Sequence, residues 1–129
     1  MAEILFATES KGKGAPVEGR EGVFHVGCSG TGSQGESVTF ESKVVMTDDG
    51  FKEDGTITYA GRRSLKFTTV RSGHMAPRAV SGLNHGAALW TITQGDGEFS
   101  GATRLITSNF TFSDQGDVVD NQYVRTYTP

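Results

Sequence analysis

The chain has 129 residues, a formal net charge of −3 and 35% hydrophobic residues. Its length suits one domain, 1–129, with a single core, and its hydrophobic content is too high for a disordered chain. The acidic balance and the scattered lysines and arginines exclude a basic surface for nucleic acid, so no nucleic-acid partner is expected.

The residue types favour strands over helices. Fifteen threonines stand against five leucines, and β-branched residues fit a pleated, half-buried surface whereas leucine is a good helix former. Alternation of apolar and polar residues predicts eight strands. The predicted strands are 3–8, 23–28, 38–46, 56–60, 64–71, 87–93, 104–113 and 118–127.

The segments between these runs are predicted to be loops and turns. Residues 10–22 and 29–36 are rich in glycine and polar residues, which is typical of loops. Turn chemistry is present at 47–50 and again at Asp54 and Gly55. Residues 72–86 form the longest segment without periodicity, and a loop of this length is more often functional than not.

Eight short strands at regular spacing predict an all-β fold. We expect a single-domain antiparallel β-barrel with a central apolar cavity, because closure removes the exposed edges of an open sheet. The N-terminal run predicts neither a signal peptide nor a membrane span, so a cytoplasmic protein without a membrane partner is expected. Cys28 is the only cysteine. It cannot form an intrachain disulfide, and its alternation with Phe24 and Val26 favours a buried, inert thiol over a nucleophile.

A glycine pattern, G-x-G-x-F-x-G-A, lies between the sixth and seventh predicted strands. A dinucleotide site would need a helix after these glycines, and a strand follows instead, so they are interpreted as turn residues. With its flanking strands, about a third of the chain, the pattern resembles small calycin-like barrels, most of all the allene oxide cyclase and dirigent group. The resemblance implies an often oligomeric barrel that steers cyclisation or coupling of a hydrophobic molecule without a cofactor. The residues of the pattern are Gly95, Gly97, Phe99, Gly101 and Ala102.

The three histidines do not predict a metal site. His25 lies within a predicted strand, while His74 and His85 are eleven residues apart on the 72–86 loop. No pair has a recognised metal-ligand spacing, so neither a metal nor another cofactor is expected. A loop histidine could instead transfer a proton, because histidine titrates near neutral pH.

The last predicted strand has two faces, and the sequence leaves open which one points inward. One face carries Val119 with a polar and aromatic row, which would line a ligand site if it pointed inward. The alternative is that this row is solvated and that Val118, Val124 and Thr126 point inward. The row is Asn121, Tyr123, Arg125 and Tyr127.

These features predict a cofactor-independent isomerase, cyclase or lyase that acts on a small hydrophobic molecule in the cavity. In this hypothesis Tyr59 and Tyr123 donate protons to the substrate or accept protons from it. Arg71 and Asn121 hold a carbonyl, carboxylate or oxyanion. His74 or His85 acts as a base or gate. The remaining ligand-binding candidates are Phe67, Trp90, Phe110 and Arg125.

Two other classes of protein remain open, and a metal-dependent barrel enzyme is the least favoured interpretation. A carrier would bind an apolar ligand in the same cavity without catalysis. An assembly protein would use its outer face, with Leu105, Val124 and Val45, to pack against copies of itself into a homo-oligomer.

Overall fold

The computed structural model describes residues 2–60, 63–77 and 82–129. Within them the chain forms strands and one short 3-10 turn, Gly97–Phe99, between β7 and β8. Gly97 and Gly101 have φ of 56° and 74°, so the glycines of this connection are turn residues, as the sequence predicts. The strands are β1 Ala2–Pro16, β2 Val23–Gly32, β3 Ser37–Thr47, β4 Gly50–Tyr59, β5 Arg63–Thr69, β6 His74–Pro77, β7 Leu83–Gly95, β8 Thr103–Ser113 and β9 Asp117–Thr128.

The sheet closes into a barrel in which every pair of neighbouring strands is antiparallel. Strands β1 to β5 pair in chain order, β7 pairs with β8, and β8 with β9. Pairing of β9 with β1 and of β5 with β7 completes the ring of eight. The prediction of a single-domain, all-β, eight-stranded antiparallel barrel is therefore confirmed.

The short strand β6 continues the line of β5 along β7. Strand β5 pairs with the second half of β7, from Trp90 onward, whereas β6 pairs with the first half, at Asn84 to Ala87. The connection between β5 and β6 contains Arg71, which has φ of 59° and is exposed. Arg71 thus lies outside the strand in which the sequence placed it.

Several strands are longer than predicted, because glycines lie inside them rather than in loops. Strand β1 runs to Pro16, so residues 10–16 of the predicted 10–22 loop pair with β2, and residues 10–13 also pair with β9. A Cβ on Gly12 would overlap the carbonyl oxygen of Gly27 on β2, so only glycine permits this close approach. Likewise Gly55 lies within β4, where a Cβ would lie 2.7 Å from the ring of Phe67, and the predicted turn at Asp54 and Gly55 is wrong.

The predicted 72–86 loop is also partly strand. Strand β6 occupies 74–77 and β7 begins at Leu83, and β6 pairs with the first residues of β7. Residues 78–81 of that segment lie outside the described residues, as do two residues of the predicted hairpin connection, 61 and 62.

The barrel interior is packed with aromatic rings toward the end where β4 finishes and β5 begins. Phe67 stacks on Trp90 with 3.9 Å between ring centroids, and Phe40 stacks against both. Tyr59 meets Phe6 edge to face at 5.0 Å. These side chains are almost fully buried, and such packing supplies most of the favourable free energy of a small β domain.

Candidate functional site

An apolar pocket of about 190 Å³ opens at the opposite end of the barrel. We call it the mouth pocket. It lies where β2, β4 and β9 begin and where β3 and β8 end. Its residues are Phe24, Val26, Phe40, Val44, Met46, Phe51, Glu53, Met75, Asn84, Phe110, Phe112, Val118 and Asp120.

Two acidic side chains lie at the inner end of the mouth pocket. Glu53 is two residues further into β4 than Phe51, and Asp120 is two residues further into β9 than Val118. Glu53 is 5% exposed and Asp120 is 3% exposed. Carboxyl groups are rarely this buried without a partner of opposite charge, so the pair requires an explanation other than packing.

Asp120 accepts hydrogen bonds on both of its oxygens. Ser108 Oγ donates to Oδ1 at 2.7 Å, and Gln122 Nε2 donates to Oδ2 at 3.0 Å. On the other side of the Gln122 amide, Thr8 Oγ1 donates to Gln122 Oε1 at 3.1 Å. Asp120 is thus presented with donors only, which stabilises its carboxylate form. Burial nevertheless dominates and raises the pKa of Asp120 to about 6.

Glu53 receives one side-chain donor and is less stabilised as an anion. Ser42 Oγ donates to Glu53 Oε2 at 2.5 Å. Burial is the main cause that raises the pKa of Glu53 to about 8, and the negative charges of Asp120 and Asp54 add to it. The backbone of Glu53 is clamped by Thr69, whose hydroxyl accepts from the Glu53 N–H at 2.7 Å and donates to the Glu53 carbonyl at 3.0 Å.

The two environments give the carboxyl groups of Glu53 and Asp120 different pKa values. Near neutral pH Glu53 is mostly a neutral acid, whereas Asp120 is mostly a carboxylate. Such a separation is what general acid and general base pairs have in common. The interior can therefore offer a proton and a proton acceptor beside one apolar space.

No positive charge compensates these carboxyl groups among the described residues. The three ion pairs of this part of the chain join Lys13 to Asp117, Arg63 to Glu98 and Arg125 to Glu3. All three are on the barrel surface, and none includes Glu53 or Asp120. The described lining of the mouth pocket contains no lysine, arginine or histidine. Within the described lining, the only ionisable groups at this end of the barrel are therefore acidic.

Cys28 is buried, as the sequence predicts. Burial, together with the negative charges of Asp120 and Glu53, raises the pKa of its thiol to about 12. A thiol in this environment is protonated at neutral pH, and the thiolate is the reactive form. The arrangement thus supports the interpretation of Cys28 as a packing residue.

The last strand, β9, points its Val118, Val124 and Thr126 face into the barrel, which is the second of the two alternatives that the sequence left open. Val118, Val124 and Thr126 are buried, whereas Tyr123 is 48% exposed and Asn121 and Arg125 are also exposed. The expectation that Asn121, Tyr123 and Arg125 line the interior is therefore wrong.

The physical reason is the availability of partners. Outside the barrel Arg125 has a partner in Glu3, whose carboxylate also accepts from the Tyr127 hydroxyl at 2.5 Å. Inside, Asp120 and Gln122 satisfy each other and two hydroxyl groups. The buried position of Val124 also removes it from the proposed outer assembly face, on which Leu105 remains 40% exposed.

The other predicted site residues are dispersed. His74, His85 and Arg71 are exposed and do not line the mouth pocket. Tyr59 is fully buried at the far end of the interior, and burial raises the pKa of its hydroxyl. Of the predicted ligand-binding residues, Phe110 lines the mouth pocket, while Phe67 and Trp90 lie in the aromatic core. Their assignment to catalysis or binding stays a prediction.

Sequence reasoning missed Glu53 and Asp120, although a signal for each was present. Glu53 has the same alternation as Phe51, Ile57 and Tyr59, but the turn predicted at Asp54 and Gly55 removed it from the strand. Asp120 has the same alternation as Val118 and Val124. A carboxylate in phase with apolar residues was therefore the available signal.

No protein-family model, curated protein or solved structure matches the chain. The resemblance to the allene oxide cyclase and dirigent group stays a prediction. Within the described residues, no helix is long and apolar enough to cross a membrane.

Proposed function

We propose that this protein binds a small, largely apolar molecule in the mouth pocket. One observation supports the proposal above all: an open space of about 190 Å³ is lined by five phenylalanines, and two buried carboxyl groups lie at its inner end. Small-molecule sites have this composition, with apolar walls and a few polar groups that orient the ligand. The five rings are Phe24, Phe40, Phe51, Phe110 and Phe112.

The size of the pocket limits the ligand. A dry protein cavity of about 150 Å³ accommodates benzene. A pocket of about 190 Å³ therefore suits one ring with a short substituent. Because the pocket opens at the barrel end, a longer substituent can extend into solvent.

Binding can be tested with 2-phenylethanol, a neutral single-ring probe, by following backbone amide shifts in NMR titrations. We expect saturable shifts at the starts of β4 and β9 and none at the closed end near Tyr59. Val44→Phe, which adds volume at the pocket wall, should abolish them. Thr39→Phe, on the outer face of the same strand, should leave them unchanged. Absence of saturable shifts in the wild-type protein would refute the proposal.

Proton-transfer catalysis is a second candidate function, supported by the separated acidities of Asp120 and Glu53. On an enolisable ketone, the Asp120 carboxylate would accept the α-proton. The neutral Glu53 would donate a hydrogen bond to the carbonyl oxygen as the enolate charge develops. The protonated Asp120 exchanges its proton with solvent and returns a solvent-derived proton to carbon, which restores both the ketone and the carboxylate, so the step needs no cofactor.

This activity would be visible as deuterium uptake. Cyclohexanone in D₂O should gain α-deuterium faster with the wild-type protein than with Asp120→Asn, as followed by proton NMR. Asp48→Asn, an exposed change of the same chemistry, serves as the control. If Asp120→Asn accelerates uptake as well as the wild-type protein, Asp120 is not the base.

A further inference from the structure

We infer that the ligand of the mouth pocket is a lipophilic cation, namely a primary amine carried on a single ring by a short chain. This inference rests on the proposed binding function and names its ligand class. It departs from the carbonyl or carboxylate ligand that the sequence suggested, because that expectation needed Arg71 and Asn121 in the interior and both are on the surface.

The first argument is charge. Glu53 and Asp120 are the only ionisable side chains in the described lining of the mouth pocket. A carboxylate ligand would place a third acidic group beside them with no cation to offset the repulsion. An ammonium group would instead supply the missing positive charge.

The second argument is the hydrogen bonding of Asp120. Its donors, Ser108 and Gln122, are both neutral. They stabilise a carboxylate but do not neutralise it, so no described side chain compensates the buried negative charge. Gln122 in turn accepts from the Thr8 hydroxyl on the other side of its amide. Among the described residues, the site thus directs neutral donors at an anion that has no counter-ion.

The third argument is the aromatic wall. Aromatic rings attract a cation over their faces and pack against another ring in edge or offset contacts. Phe51 and Phe110 already meet in an edge arrangement, with 5.7 Å between ring centroids. An arylalkylamine has both chemistries that this wall favours, a ring and an ammonium group.

Three probes of nearly equal size separate charge from shape: 2-phenylethylamine, 2-phenylethanol and 3-phenylpropanoate. Titration calorimetry near neutral pH should give an affinity for the amine at least about tenfold above that for the alcohol, since a charge-assisted hydrogen bond is stronger than a neutral one. The carboxylate should bind more weakly than the alcohol. Amine binding should also release the proton of Glu53, because a nearby ammonium group favours the carboxylate form of that side chain. The release is measured by repeating the titration in buffers of different ionisation enthalpy.

Variants assign the preference to the acid pair. Asp120→Asn should bring the amine affinity down to that of the alcohol, while Asp48→Asn should keep the preference. If Asp120→Asn does not fold, Glu53→Gln provides the second measurement and should remove the proton release. Equal binding of amine and alcohol by the wild-type protein, or tighter binding of the carboxylate, would overturn the inference and leave the proposed binding function standing. Failure of all three probes would overturn both.

Discussion

The buried acid Glu53 makes a specific prediction about stability and pH. Its pKa is about 8 in the folded chain, against an ordinary value of 4.5. Because the folded value lies above the unfolded one, the native state binds more protons. The stability that Glu53 contributes as a neutral acid is present at low pH and is lost as the pH rises through about 8.

The size of the loss follows from the two pKa values. Each pH unit between them costs about 1.4 kcal/mol, or about 5 kcal/mol over the whole interval. Between about pH 6.5 and pH 8, Glu53 accounts for about 2 kcal/mol, and Asp120, with its pKa of about 6, adds little because it titrates mostly below this interval. For a chain of 129 residues, this loss lowers Tm by roughly 7 °C, at about 2.1 cal/mol/K of unfolding entropy per residue.

The variant Glu53→Gln isolates this contribution. Glutamine keeps an oxygen that can accept from Ser42 and carries no titratable proton. We expect the Tm of the variant to fall less than the wild-type Tm between the two pH values, by roughly the amount above. Glu41→Gln, an exposed change on the outer face of β3, should follow the wild-type protein. Parallel loss of Tm in wild type and Glu53→Gln would show that Glu53 is already ionised at pH 6.5.

Three other substitutions, the first of them with a matched control, test the packing and the face assignments. Gly12→Ala should lower stability by at least about 1–3 kcal/mol through overlap with β2, while Gly27→Ala, where a Cβ has only a 3.8 Å neighbour, should cost less in the same thermal melts. Tyr59→Phe should be neutral or stabilising by about 1 kcal/mol, because the buried hydroxyl has no partner among the described residues; a large loss of stability would reveal a partner. Tyr123→Phe should change stability by less than about 0.5 kcal/mol and leave probe binding intact, and a loss of binding or turnover would restore Tyr123 as a site residue.

The barrel could be predicted from the sequence, because alternation and turn spacing are local signals that identify each strand. The barrel then follows from the pairing of these strands in a closed sheet. The extents of the strands could not. Gly12 and Gly55 have the composition of loops, yet each lies inside a strand where another chain segment approaches closely. That approach depends on the neighbouring strand, which the local sequence does not contain.

The candidate site was less predictable than the fold, because it depends on which face of β9 points inward. The row containing Arg125 and the row containing Asp120 both mix polar and apolar residues, so alternation alone does not choose between them. The choice depends on partners from distant strands: Glu3 for Arg125 outside, and Ser108 and Thr8 for the inner network. Glu53 illustrates a different failure, since one misplaced turn removed it from consideration.

The destabilisation caused by the buried acid pair predicts how the inferred ligand should affect stability at different pH values. Ionised Glu53 destabilises the empty barrel as the pH rises, and an ammonium ligand would offset that cost, since a ligand that binds only the native state stabilises it by mass action. Alkylammonium groups stay protonated through this range, as lysine does. The rise in Tm caused by 2-phenylethylamine should therefore be larger at about pH 8 than at about pH 6.5, whereas the rise caused by 2-phenylethanol should not grow. Differential scanning calorimetry at fixed probe concentration measures the rise in Tm for both probes. If this rise increases equally with pH for the two probes, the acid pair does not recognise the ammonium group.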